Sequence, residues 1–253
     1  MNIAQSPDPI PAATLVLFRD RPGAAPELLI VERAKAMAFA GGALVFPGGR
    51  IDPGDHALAL ELGADPLFGA ARIAAIREMI EEAGVAVGLV PAPAPAQLTA
   101  IRAALHAGGS FGALLDAHGL TLDLDLLEPF ARWLPAHLHS RVFDTLFFLA
   151  AAPAQAAAHV DGTENSRVFW ASAQAVLAEA DAGRATIIFP TRRNLERLAQ
   201  FGSHDEAVTH ARAHPIDTIT PWIEARDGVD HLCIPDGLGY PVTAEALTRV
   251  DRG

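Results

Sequence analysis

Residues 77–85, REMIEEAGV, decide the fold when they are taken together with residues 48–55, GGRIDPGD. On a helix, Glu78, Glu81 and Glu82 stand at positions i, i+3 and i+4, so their carboxylates share one face within about one turn. Like charges at this spacing destabilise a helix by a few tenths of a kcal/mol. A cation among the carboxylates would relieve that repulsion, and grouped oxygen ligands favour Mg²⁺ or Mn²⁺.

The two glycines that open residues 48–55 complement the acidic helix. Gly48 and Gly49 let the backbone turn sharply and approach another segment or a ligand without a Cβ clash. Arg77 precedes Glu81 by four residues, so its guanidinium can hold that carboxylate or anchor the glycine loop. Taken alone, the three glutamates are more typical of a solvated helix with an acidic face.

Composition and charge exclude several classes of protein. The 253 residues include 19 Lys and Arg against 30 Asp and Glu, and the net charge of −11 disfavours nonspecific binding to nucleic acid or to an anionic membrane. The lone Cys233 excludes an intramolecular disulfide and a cysteine-based zinc cluster. No apolar run reaches the roughly 18 residues that a membrane span needs. We therefore expect a cytoplasmic protein whose anionic ligand is held by a few arginines or by cations.

The pattern of apolar residues predicts a mixture of strands and helices. Apolar runs at 12–19 and 28–34, separated by turn residues, predict a β-hairpin. A helix is expected from about Phe68 to Ala83, because Gly84 is a favourable residue just past a helix end. The apolar run 143–152 predicts a central strand. The other expected elements are a strand near 43–46, a linker at 91–97, a helical insert at about 98–139, a strand at 167–170, and helices at 172–182 and 191–212.

Together, the glycines and the acidic helix closely resemble the Nudix box of the Nudix, or MutT-like, hydrolase family. In that box a glycine is followed by five residues and a glutamate, then by seven residues and Arg-Glu-aliphatic-any-Glu-Glu-any-Gly-aliphatic. Gly49 matches the first glycine, and residues 77–85 match the second half with Met79 in the first aliphatic position. The resemblance implies one domain over residues 1–253 with the Nudix α/β (α+β) fold, an α/β/α sandwich around a mixed central sheet with an added helical insert.

Two features depart from the box. Asp55 stands where the family has glutamate, and 21 residues separate it from Arg77 where the box has seven. The surplus, at about residues 56–69, is expected to be a loop insertion ahead of the helix, which costs little free energy. The interrupted box and the segments 133–135 and 141–149 resemble the branch of the family that contains the mammalian peroxisomal coenzyme A diphosphatases.

The resemblance implies metal-dependent hydrolysis of a pyrophosphate bond in a nucleoside diphosphate linked to another moiety. The first expectation is coenzyme A or acyl-CoA, which would give 3′,5′-ADP and 4′-phosphopantetheine or its acyl form. The alternatives are an enzyme acting on ADP-ribose, a dinucleotide or a nucleotide sugar, and a Nudix-fold module that binds a nucleotide without cleaving it. The expected partner is a small molecule, and the sequence leaves a homodimer open.

The resemblance also implies roles for individual residues. Glu78 and Glu82 are the expected ligands of Mg²⁺ or Mn²⁺, and Glu81 is the expected further ligand or general base. The other expected site residues are Arg77 beside the glutamates, Glu164 as another metal ligand, and Gly48, Gly49, Arg50 and Arg141 for substrate binding. Glu164 is alternatively a surface carboxylate, and Arg141 is alternatively a partner in a structural ion pair.

Overall fold

The first two strands of the computed structural model form the predicted hairpin. Strand β1 (Ile10–Arg21) runs antiparallel to β2 (Ala24–Arg33), with Phe18 opposite Leu28. The structure describes residues 8–36, 40–135, 142–154, 156, 158–160 and 165–250.

A mixed sheet of eight strands organises the molecule. The strands after the hairpin are β3 (Leu44–Val45), β4 (Gly48–Arg50), β5 (Leu89–Val90), β6 (Thr121–Leu122), β7 (Glu128–Trp133), β8 (Phe143–Ala151), β9 (Asn165–Ala171), β10 (Thr218–Ile219), β11 (Trp222–Arg226), β12 (Val229–Cys233) and β13 (Ala244–Ala246). The large sheet has the order β10-β7-β8-β1-β2-β3, with β4 also paired to β1 and β9 to β2. Because β8 runs parallel to β1 and antiparallel to β7, the apolar run predicted as a central strand lies inside the sheet.

Helices cover both faces of this sheet. They are α1 (Pro53–Glu61), α2 (Gly69–Ala83), α3 (Pro95–His106), α4 (Phe111–His118), α5 (Ala173–Asp181), α6 (Phe189–Leu198), α7 (His204–Arg212) and α8 (Leu247–Val250). Side chains alternate along β1, so Leu15 and Leu17 pack in the core with α1–α4, and Val16 and Phe18 pack in the core with α5–α7. The predicted α/β/α sandwich is confirmed. None of the helices in the described ranges is long and apolar enough to cross a membrane.

Helix α2 agrees with its prediction to within one residue. Its apolar side, which includes Ile76 and Met79, is fully buried against the sheet. Gly84 ends the helix in the left-handed region at φ 66°, and its N–H donates to the carbonyl of Ile80 at 3.0 Å. A residue with a Cβ would be strained at that backbone angle, so the glycine fixes where the acidic helix stops.

The inserted segment after Asp55 differs from the loop that the sequence predicts at 56–69. Helix α1 occupies Pro53–Glu61, and only residues 62–68 are turn and loop. Pro53 is pre-organised for the first helical position, and the Asp55 side chain accepts from the N–H of the N-cap residue Asp52 at 2.9 Å. These start signals outweigh the loop expectation drawn from the length of the insertion.

The predicted helical insert at 98–139 is wrong beyond His118. Helices α3 and α4 account for its first part, but the chain then forms β6, a short 3₁₀ helix and β7. Strand β7 pairs with β8, and its Phe130 and Trp133 are buried in the core. This pairing outweighs the local Ala/Leu-rich pattern, which by itself favours helix. Residues 136–139 lie outside the described residues.

Two further predicted boundaries differ from the structure, both at the starts of helices. The predicted linker at 91–97 is shorter, because α3 already begins at Pro95. The predicted helix at 191–212 is two helices, α6 and α7, separated by residues 199–203. Ser203 caps α7, since its hydroxyl accepts from the N–H of Glu206 at 3.2 Å. The Ser-x-x-Glu start signal was present in the sequence.

A buried chain of hydrogen bonds attaches the C-terminal region to the large sheet. The Trp133 indole N–H donates to the Tyr240 hydroxyl at 3.0 Å, and that hydroxyl donates to the side-chain oxygen of Asn194 at 2.7 Å. We call this the Tyr240 chain. It lies in the core with α5–α7, on the opposite face of the sheet from α2.

Candidate active site

The three glutamates of α2 form an acidic cluster on the side of the helix that faces β4. The side chains of Glu78 and Glu81 are 14% and 20% exposed, whereas Glu82 is 4% exposed. The Glu82 carboxylate accepts a hydrogen bond from the backbone N–H of Gly48 at 3.1 Å. The spacing read from the sequence therefore brings the three carboxylates to one end of one helix, beside the glycine strand.

Arg77 holds the cluster to the inserted segment. Its guanidinium donates twice to the Asp55 carboxylate, at 3.1 and 2.9 Å, and once to the Arg50 carbonyl at 2.9 Å. Its Nη1 donates to the Glu78 carboxylate at 2.8 Å and to the Glu81 carboxylate at 3.0 Å. Burial alone lowers the pKa of Arg77, but the Asp55 hydrogen bonds and the nearby carboxylates outweigh it and hold the pKa above its ordinary value.

Asp55 therefore reaches the site despite its short side chain. It is 2% exposed, and both of its oxygens accept from Arg77. One of the same oxygens also caps α1, so the start of the inserted helix and the acidic cluster share one carboxylate. The sequence pattern identified the position but not this function, which depends on α1 folding back against α2.

Gly48 and Gly49 allow the backbone to lie against the cluster. A Cβ at Gly49 would collide with the carboxylate of Glu78, and a Cβ at Gly48 would collide with the backbone of Ala13 and Thr14 in β1. Strand β4 thus lies close to both α2 and β1. Both glycines are required for close approach, which confirms the reason the sequence offered for them.

The electrostatics of the cluster fit a bound cation. Burial and the charge of Glu78 raise the pKa of Glu82 to about 8, although the Gly48 N–H, Arg33 and Asn165 each lower it. Burial also raises the pKa of Glu81, against the opposing charge of Arg77. A cation next to these two neighbouring carboxylates would stabilise their ionised forms, and hard oxygen donors suit a divalent ion. Within the described ranges, however, no group of three Asp, Glu, His or Cys side chains is arranged so that it could hold a metal ion.

The structure places the other predicted residues unevenly. Arg50 has an exposed side chain, and only its carbonyl joins the Arg77 network. Arg141 and Glu164 lie outside the described residues. Asn165, the next residue in the chain after Glu164, is buried, and its interaction with Glu82 favours the ionised carboxylate. Sequence reasoning missed Asn165 because a single asparagine at a strand start carries no motif.

A solved structure identifies the family. The Nudix hydrolase from Alicyclobacillus acidocaldarius is 31% identical over 80% of this chain and 96% of its own, with a TM-score of 0.71. This chain belongs to the Nudix hydrolase family. Members of the family are enzymes that act on phosphorus anhydrides in small nucleotide-type substrates, generally with divalent metal cations.

Other solved structures match the chain at lower similarity. The MutT protein from Methanosarcina mazei Go1 is 16% identical over 76% of this chain and 93% of its own, with a TM-score of 0.43. An Ap4A hydrolase from C. elegans is 18% identical over 68% of this chain and 86% of its own, with a TM-score of 0.39. A scan of protein-family models and a search of curated proteins found no match.

Proposed function

We propose that this Nudix hydrolase cleaves the pyrophosphate bond of coenzyme A or acyl-CoA. The products would be 3′,5′-ADP and 4′-phosphopantetheine or its acyl form. The observation that carries the hydrolase activity is the buried Glu82 beside Gly48, with Arg77 holding Glu78 and Glu81 next to it. The choice of coenzyme A rests on the resemblance of the interrupted box to the coenzyme A diphosphatase branch.

Glu82 and Glu78 are the proposed ligands of Mg²⁺ or Mn²⁺, with Glu81 as a further ligand or as the general base. A bound divalent cation would neutralise the phosphoryl oxygens and make the phosphorus more electrophilic. Glu164 is proposed to add another oxygen ligand, which the burial of its neighbour Asn165 near Glu82 supports. The cations would also offset the net charge of −11, which otherwise repels a pyrophosphate.

Residues of the chain itself would orient the substrate. Arg50 is exposed at the end of β4, directly after the two glycines that contact the cluster, so it is the proposed contact for a phosphate oxygen, together with Arg141. Helices α1 and α4 lie together, since a Cβ at Gly112 would be 3.3 Å from the Leu58 side chain. This helical layer is the proposed wall for the pantetheine or acyl chain, and a homodimer remains compatible with the proposal.

A substrate comparison tests the proposal directly. Purified protein would be incubated with Mg²⁺ or Mn²⁺ and, in separate reactions, with coenzyme A, several acyl-CoA esters, ADP-ribose, a dinucleotide and a nucleotide sugar. We expect 3′,5′-ADP from coenzyme A or its esters at a higher kcat/KM than for any other compound. No 3′,5′-ADP from coenzyme A or from any of its esters would refute the coenzyme A assignment, and binding without turnover of every compound would refute the enzyme mechanism.

A further inference from the structure

Arg102 of the inserted helix α3 lies across the end of the acidic helix. Its Nε donates to the Glu81 carbonyl at 2.9 Å, and its Nη2 donates to the Glu82 carbonyl at 3.1 Å. The same Nη2 donates to the carbonyl of His159 at 3.0 Å. One guanidinium therefore contacts two segments that are far apart in sequence.

These contacts complete the hydrogen bonding at the end of α2. The last four carbonyls of a helix have no partner within the helix. In α2, the Ile80 carbonyl accepts from Gly84 and the Ala83 carbonyl accepts from the N–H of His159 at 2.9 Å. The two carbonyls between them, those of Glu81 and Glu82, are the ones that Arg102 contacts.

The position also suits the guanidinium electrostatically. The C-terminal end of a helix carries a partial negative charge, and here three glutamates add to it. A cation at this end offsets both. Gly84 makes room for it, because a Cβ there would lie 3.1 Å from Arg102 Nη1. The glycine that ends the helix therefore also admits the arginine.

The second segment that Arg102 contacts, residues 158–160, comes shortly before Glu164 and Asn165 in the chain. Residues 158–160 are joined to the end of α2 by Arg102 and by the His159 N–H. Five residues after His159 in the chain is Glu164, and Asn165, which interacts with Glu82, follows it. Arg102 is thus bonded both to the last turn of the acidic helix and to the chain that precedes Glu164.

We propose that Arg102 is a positioning residue for the hydrolysis: it fixes the last turn of α2, and with it Glu81 and Glu82, relative to residues 158–160. The inference rests on the proposed function. Arg102 is assigned no contact with the substrate. Its effect is exerted through the backbone of Glu81 and Glu82, whose carbonyls it contacts, because this backbone fixes where their carboxylates lie.

The test compares Arg102→Met with Arg72→Met in the full-length protein. Arg72 is a matched control, because it belongs to α2 and its Nε donates to the Leu127 carbonyl at 3.0 Å, near the other end of the helix. Mn²⁺ affinity would be measured by calorimetry, kcat and KM with the best substrate, and unfolding by urea. For Arg102→Met we expect a loss of about 10- to 100-fold in Mn²⁺ affinity and in kcat, with KM for the substrate nearly unchanged.

A second variant keeps the test decisive if Arg102→Met does not fold. Arg102→Lys retains the charge but not the planar fork that reaches three carbonyls, so its loss should be intermediate. The inference is overturned if Arg102→Met and Arg102→Lys retain wild-type Mn²⁺ affinity and kcat, or if they lose no more than Arg72→Met. A wild-type protein that neither binds Mn²⁺ nor hydrolyses any substrate would overturn the proposed function as well.

Discussion

Replacing Glu82 with glutamine separates stability from function in a predictable way. The glutamine amide would keep an oxygen for the Gly48 N–H, but it cannot ionise. In the metal-free wild type, burial raises the Glu82 pKa from 4.5 to about 8. The folded protein therefore retains a proton that the unfolded chain has released above about pH 4.5. The Glu82 contribution to stability is consequently lost as the pH rises from about 4.5 to 8.

The pKa change sets the size of the effect. A move from 4.5 to about 8 corresponds to a ceiling of about 5 kcal/mol, at about 1.4 kcal/mol per pH unit. Rotation of the Glu82 carboxylate toward water would reduce this, so we expect about 2–4 kcal/mol. In the metal-free state, Glu82→Gln should therefore match the wild type near pH 5 and become the more stable protein near pH 8.5.

Urea unfolding in EDTA over this pH range measures the difference. Every other titrating group is common to the two proteins, so the pH dependence of their difference isolates Glu82. Saturating Mn²⁺ should stabilise the wild type, by about 2.7 kcal/mol at one hundred times Kd, and leave Glu82→Gln almost unaffected. Hydrolysis by the variant should fall by several orders of magnitude. A stability difference that does not change with pH would refute the reasoning.

Three smaller changes probe the contacts around the cluster. Gly49→Ala should displace the Glu78 carboxylate and lower kcat about 10- to 100-fold, while the melting temperature changes little because only a side-chain end must move; unchanged kinetics would contradict this. Asp55→Asn should leave the buried Arg77 without its bidentate partner and cost about 3 kcal/mol in urea unfolding, so an unaltered midpoint would count against the clamp. Tyr240→Phe should break the Tyr240 chain at a cost of about 1–2 kcal/mol with kcat preserved, and a loss of activity without a loss of stability would contradict it.

The sequence predicted the acidic helix well because its signals are local. The i, i+3, i+4 spacing places Glu78, Glu81 and Glu82 together on any helix, and Gly84 marks the end of this one. The hairpin and the central strand β8 were likewise predicted from runs of neighbouring residues. In each case the information that decides the structure lies in one short, continuous stretch of the chain.

The failures have the opposite cause. Strand β7 lies in a segment whose Ala/Leu-rich pattern favours helix, and its pairing with β8 and β10 makes it a strand. Helix α1 is an exception, because its start signals at Pro53 and Asp55 are local and only the length of the insertion favours a loop. The contacts of Arg102 join three segments that no local pattern connects. Long-range contacts of this kind cannot be inferred from one sequence.

The ion pair between Asp55 and Arg77 closes the inserted segment at its base, because the two residues are 22 positions apart and in direct contact. The connection between α1 and α2, residues 62–68, is thus tethered at both ends, so its length can vary without changing the distance between β4 and α2. Gly63, in this connection, has a φ of 61° that favours glycine, and an added Cβ would meet no other atom within 4 Å. A reporter group or a short epitope could be grafted into the exposed residues 65–67 that follow, at a distance along the chain from the carboxylates of the cluster.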